Sequence, residues 1–375
     1  MNRILRCALM LLCLAPFCAH APACADAAVY DDLAAACRSL RAAVYDYQTH
    51  IAFSLTENAV AGRSQSAIRD ILTDVLEGYI DYTIGFSQRE HLLGITIDGN
   101  LRPALNILYA WETGNRSALT ADEAQCMDIA LGIVQECRQG AASALDVERA
   151  IYDAICKYVD YFRSENPPKF GSSEYIRLHT SIGALLDGHT QCLGYSEVFY
   201  LLGRLAGLNV EMQYGFPGGS AKGKHAWNTV RIGKKTYMLD VCWGDTAGDL
   251  FEKTTPDYRY FNVGLDLQPQ GRHPHPEAQI AEISAETSWE HTAFGLAKGC
   301  IIAATLEEAV KYGVAQHNAG KPYAHILIEN TAVSLEDVTN CMWKHVKEEG
   351  IQTLWGRAIH PFADGTYVIF RWVFE

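Results

Sequence analysis

Two β-rich runs, His225-Ala226-Trp227-Asn228-Thr229-Val230-Arg231-Ile232 and Thr236-Tyr237-Met238-Leu239-Asp240-Val241-Cys242-Trp243, are separated only by Gly233-Lys234-Lys235. β-Branched and aromatic residues on both sides of a glycine-led turn signal a hairpin, and the loop length fixes its register. With Gly233-Lys234 as a two-residue turn, Ile232 faces Lys235, Trp227 faces Asp240 and His225 faces Cys242. His225 and Asp240 then lie diagonally on one face, a separation that an imidazole and a carboxylate can bridge. A slip of one residue would put them on opposite faces. In the favoured register the carboxylate orients the ring and fixes its tautomer, as a general base requires.

Upstream, Gly188-His189-Thr190-Gln191-Cys192-Leu193-Gly194-Tyr195-Ser196 is a glycine-bounded loop that runs into Glu197-Val198-Phe199-Tyr200-Leu201-Leu202, where apolar spacing becomes helical. Cys192 therefore stands at a helix N-terminus, where unpaired N–H groups and the helix dipole favour an anion and offer donors to an oxyanion. A lone cysteine in such a place is usually a small buried hydrophobe. Followed by His225 and Asp240, it reads as a nucleophile with its base and orienting acid, a constellation for acyl transfer. The Cys192 N–H is one oxyanion donor, and Gln191 and His189 are near enough in the chain to supply a second. Trp227 reads as a core or site-wall aromatic that shields the ion pair from water. Cys242 packs beside the base or, as a second thiol, regulates it by oxidation. Tyr195, Phe199, Leu202 and Ala206 repeat at helical spacing and fix the helix that carries the thiol.

From about Ser143 to Phe261, roughly a third of the chain, the sequence resembles the transglutaminase-like cysteine protease superfamily, notably its bacterial extracytoplasmic members. The pieces that carry the resemblance are the Gly188-x-x-x-Cys192-x-Gly194-Tyr195-x-Glu197 stretch, Arg204-Leu205-Ala206-Gly207-Leu208, His225-Ala226-Trp227-Asn228 and Tyr237-Met238-Leu239-Asp240-Val241-Cys242-Trp243-Gly244-Asp245. Gln191 departs from the apolar or small residue that relatives often carry before the cysteine. The resemblance implies an α+β, papain-like transglutaminase core, with the nucleophile helix packed on an antiparallel sheet that carries base and acid. It implies a cysteine-dependent amide hydrolase or acyltransferase acting on peptides, proteins or cell-wall material, with no cofactor and no metal. The alternative is a catalytically silent extracytoplasmic binding or scaffold protein built on the same core.

A chain of 375 residues is long for one core, and it divides into a leader over 1–25, an N-terminal α/β accessory part over 26–142, a catalytic part over 143–265 and a small C-terminal α/β part over 266–375. Arg3 and Arg6, the apolar stretch Ala8 to Phe17 and Ala23-Cys24-Ala25 before Asp26 form a secretion signal, so an extracytoplasmic location, secreted or periplasmic, is expected. Lipid attachment at Cys24 is the lesser alternative, because Ala21-Pro22-Ala23 lacks a large aliphatic opening residue. Removing the leader takes the formal charge from −13 to −15, which argues against nucleic acid and anionic membrane as partners. No later apolar run is long enough to span a bilayer.

Expected elements are helices over 31–43, 66–78, 121–138, 145–162, 306–316 and 335–349. Strand-like runs are His50–Leu55, Leu105–Tyr109, Cys300–Ala304, His325–Ile328 and two at the C-terminus. Asn166-Pro167-Pro168 is expected to end the helix over 145–162, and the proline-containing stretch after Asn262 reads as an exposed linker. Eight cysteines follow the leader, and reserving Cys192 leaves an odd number to pair. Cys126 and Cys137 share one helix, about 16 Å apart, beyond disulfide reach. His273 and His275, flanked by prolines, read as solvated rather than metal-binding, and no Cys-x-x-Cys motif suggests zinc.

Overall fold

The computed structural model describes residues 28–217, 224–245, 256–267, 272–273, 283–296, 300–321, 323–328, 335–349, 353–361 and 368–374. The expected leader and its cleavage site lie outside these residues. Helix and sheet are mixed along the chain. Strands β1 (Ala28–Tyr30), β2 (His50–Thr56), β3 (Tyr79–Arg89) and β4 (Leu92–Leu101) form a sheet in the order β1-β2-β4-β3. Ile51, Phe53 and Leu55 stand directly opposite Ile97, Ile95 and Leu93, and all six are buried, so period-two alternation builds one apolar face. Leu105–Tyr109, expected as a strand, lies within the helix Pro103–Thr113. Proline at the helix start and Gly114 at φ 72° after its end bracket it, whereas a short apolar run alone carries no period to separate strand from helix.

The helix Ala121–Arg138 opens on a capping box between Thr120 and Glu123. The next helix, Ala144–Tyr158, ends before the expected Phe162. There the chain forms β5 (Asp160–Tyr161), which pairs in parallel with β6 (His189–Thr190), so a long-range partner, not the downstream prolines, sets the boundary. Strands β7 (Val210–Pro217), β8 (His225–Ile232), β9 (Lys235–Leu239) and β10 (Arg272–His273) form the central sheet in the order β10-β7-β8-β9. The β8–β9 hairpin has the expected register from Ile232 opposite Lys235 to Asn228 opposite Leu239. Gly233 takes φ 61° at the first central turn position, where a II′ hairpin turn favours glycine.

The helix Cys192–Leu205 is buried on almost every side, against the three helices just described and strands β7 and β8. The Ser196 hydroxyl donates to the Trp227 carbonyl at 2.8 Å, and Asn228 Nδ2 donates to the Ser196 carbonyl at 3.0 Å. Two polar bonds thus fix this helix against the strand that begins at His225. One turn after Cys192, the fully buried Glu197 carboxylate accepts from Arg102 Nη1 at 2.9 Å, the Ala104 N–H at 3.0 Å and the Ser181 hydroxyl at 3.0 Å. Removing one partner of a buried ion pair strands the other charge. Glu197→Ala is therefore expected to destabilise the fold by roughly 3–5 kcal/mol, measured as a shift in the denaturant midpoint.

Strands β11 (Cys300–Ala303), β12 (Tyr323–Ile328), β13 (Thr353–Pro361) and β14 (Val368–Phe374) form a further sheet, accompanied by helices Leu306–Asn318 and Leu335–Glu349. The largest apolar core runs without interruption from Leu33 through Tyr258 to Leu327. Among the described residues, Cys126, Cys137, Cys156, Cys192 and Cys300 are free thiols. No helix among the described residues is long and apolar enough to cross a membrane.

Candidate active site

Gln191 caps the buried helix with extended backbone and without a side-chain hydrogen bond to it, so Cys192 occupies the first helical position with the neighbouring amides open to a ligand. Cys192 is half-buried. The approach of the helix to its loop depends on Gly194: a β-carbon there would lie 1.8 Å from Thr190 Oγ1 and 2.9 Å from the Thr180 carbonyl. Only glycine allows this close packing of the helix on its loop.

His225 begins β8, with Gly215 of β7 as its sheet neighbour, and is 5% exposed. Its Nε2–H donates to Asp240 Oδ2 at 2.7 Å, and Cys192 acts on the ring electrostatically as well. With Nε2 committed to the carboxylate, Nδ1 is the nitrogen left for the sulfur. Burial by itself disfavours the charged ring. The charge and hydrogen bond of Asp240, with the action of Cys192 added, outweigh burial and raise the His225 pKa to about 9.

The hairpin expectation needs one correction at its open end. β9 stops at Leu239, so neither Asp240 opposite Trp227 nor Cys242 opposite His225 is part of the ladder. The Asp240 N–H instead donates to the Tyr260 carbonyl at 2.8 Å, and the chain turns into a short helix, Val241–Gly244. Asp240 Oδ1 caps that helix by accepting from the Trp243 N–H at 3.0 Å, leaving Oδ2 for His225. The ring that meets His225 is therefore Trp243, stacked at 4.8 Å between centroids, with Trp227 farther away at 6.2 Å. Its three-residue offset from Asp240, one helical turn, was the available signal for Trp243.

Trp227 is buried against Met238 and Val263. His189 donates from Nδ1 to the Asp187 carbonyl at 3.0 Å and stacks on Phe162 at 5.4 Å, which commits one nitrogen and one face to its own loop. Three phenols not singled out from sequence lie within electrostatic reach of the thiol. Burial, followed by the Cys192 charge, pushes the Tyr161 and Tyr214 hydroxyls up to about 12 and raises that of Tyr175, so all three stay protonated. His273 lies in β10, His275 falls outside the described residues, and no cluster of metal-binding side chains occurs among the described residues.

Residues 132–241 match the model of the transglutaminase-like superfamily. No curated protein matches the chain. Among solved structures, the chain is similar to one described as a TGase, at 12% identity and TM-score 0.28, covering 54% of this chain and 53% of that one. It is also similar to the periplasmic domain of TgpA from Pseudomonas aeruginosa bound to ethylmercury, at 14% identity and TM-score 0.25, covering 41% and 57%. The chain thus spans about half the length of these solved chains.

Proposed function

We propose, from the premise that this is a transglutaminase-like superfamily protein, that it is an extracytoplasmic cysteine-dependent amide hydrolase or acyltransferase using Cys192, His225 and Asp240. The observation that carries the reading is the buried His225–Asp240 pair, hydrogen-bonded at 2.7 Å, on whose ring the half-buried Cys192 at the start of its helix also acts. Cys192 Sγ, a thiolate whose proton His225 already holds, attacks the carbonyl carbon of a peptide, protein or cell-wall amide. The oxyanion is held by the N–H groups at the start of the helix Cys192–Leu205, with Gln191 as the side chain nearest to contribute. His225 then gives the proton to the leaving amine as the C–N bond breaks, and a thioester remains on Cys192. Water resolves it in a hydrolase and a second amine in an acyltransferase. Asp240 keeps the ring oriented and stabilises the imidazolium, and Trp227 and Trp243 exclude water from the pair. In this reading 143–265 carries the chemistry, while 26–142 and 266–375 flank it. The leader-like sequence before Asp26 supports export.

Iodoacetamide labelling followed by peptide mapping tests the reading. Stoichiometric modification of Cys192 at mildly acidic pH, ahead of the buried thiols, is the expected result. A Cys192 no more reactive than Cys341, which is also half-buried, would leave the silent scaffold as the better account.

A further inference from the structure

We propose that the cleft beside Cys192 receives a bulky apolar side chain of a peptide substrate, and that the N-terminal sheet supplies one wall of this subsite. The proposal rests on the amide-cleaving reading only for the identity of the ligand as a peptide. The cleft has a volume of about 580 Å³, within the range of formed ligand sites. Leu193, the residue after Cys192, lies in its lining. So do Tyr175 and Tyr214, both of whose hydroxyls feel the Cys192 charge. One wall is the start of β3, with Tyr79, Ile80 and Tyr82, from a part of the chain more than a hundred residues before the thiol. Across from it stands Phe170, 83% exposed, with Tyr175 at 5.0 Å.

Apart from Asp81, the charged side chains in this lining are paired with opposite charges. Glu77 pairs with Arg41, Arg102 with Glu197, and Lys224 with Asp74 at 3.3 Å while lying 5.1 Å above the Tyr214 ring. His179 donates to the Tyr175 carbonyl and stacks on its ring at 4.1 Å. What faces an incoming ligand is aromatic and aliphatic surface, whose burial rewards apolar area and not charge. Asp81 stands exposed at the mouth, accepting from Asn100 Nδ2 at 2.7 Å, and repels acidic neighbours of the bound residue. An aromatic as exposed as Phe170 at the entrance is the surface that such a ligand would cover.

The test uses the full chain as Cys192→Ala, which binds without turnover, titrated with blocked peptide amides in which one residue is Leu, Phe, Ala or Glu at each position in turn. At one position Leu or Phe is expected to bind about tenfold or more tighter than Ala, with Glu no better than Ala. Tyr82→Ser and Phe170→Ser should each reduce that preference to about twofold or less. Trp343→Ser, an exposed aromatic on the helix Leu335–Glu349, should leave it intact. The thermal midpoint shows that each variant is folded, and Phe170, being exposed, decides the matter if Tyr82→Ser is not. The proposal is overturned if no position discriminates Leu or Phe from Ala, if the preference survives Phe170→Ser, or if an oligosaccharide binds more tightly than every peptide. Because binding needs no nucleophile, an apolar preference in a protein whose Cys192 resists alkylation would sink the enzymatic reading and leave the subsite standing.

Discussion

Cys192→Ala is expected to abolish amide turnover, by roughly four to six decades in kcat, with the unfolding midpoint nearly unchanged. The sulfur is the group through which the covalent route runs, and neither Tyr175 nor Tyr214, protonated beside it, offers a substitute nucleophile. The fold has little at stake. Cys192 is half-buried at the first helical position, and the helix is held by Ser196, Glu197 and Asn228 further along. Losing one sulfur from an open position costs about 1 kcal/mol or less. Steady-state turnover on a competent substrate beside a thermal melt checks both halves. Turnover that survives in the variant would exclude the assigned nucleophile, and a collapsed melt would show that the thiol is structural.

Asp240→Asn is expected to lower kcat by about one to three decades, less than the four or so lost by a serine triad, because a cysteine–histidine pair already holds charge at rest. An amide oxygen can still accept from the Trp243 N–H, so the helix Val241–Gly244 keeps its cap and the variant folds. What disappears is the charge facing His225. The ring pKa, raised from 6.5 to about 9 with Asp240 in place, moves back down, and the alkaline limb of the kcat profile moves with it from near pH 9 toward neutrality. The sign for stability follows from the raised value. The contribution of the His225–Asp240 pair is fully present below about pH 6.5 and is lost as pH rises through about 9, so the difference in stability between wild type and Asp240→Asn should vanish above that range. Unchanged pH profiles for both turnover and stability would show that the carboxylate does not act on the ring.

The hairpin and the helix at Cys192 were legible because their signals are local. Gly233 and the flanking alternation fix the register through Ile232 and Lys235, and Thr120 with Glu123 marks where the helix Ala121–Arg138 begins. Sequence placed Asp240 on the right face for an incomplete reason. Its carboxylate meets His225 because the chain leaves the sheet there, drawn off by the Tyr260 carbonyl twenty residues later, and no nearby residue announces that bond. The same limit hid the cleft, whose walls come from β3 and from the segment around Phe170. Leu105–Tyr109 was misread on other grounds, since five apolar-rich residues suit either a strand or a turn and a half of helix.

The Arg102–Glu197 pair also bears on where this protein can be cut. The segment that matches the superfamily begins at 132, yet the carboxylate one turn beyond the thiol is neutralised from Arg102 and capped by the Ala104 amide. A fragment trimmed to 132–241 would expose the face of the helix Cys192–Leu205 that packs on Pro103–Thr113 and would leave Glu197 charged with only Ser181 beside it. The smallest piece able to fold and hold Cys192 in place must therefore reach back at least to Arg102, so the boundary of sequence likeness and the boundary of autonomous folding fall at different points along the chain.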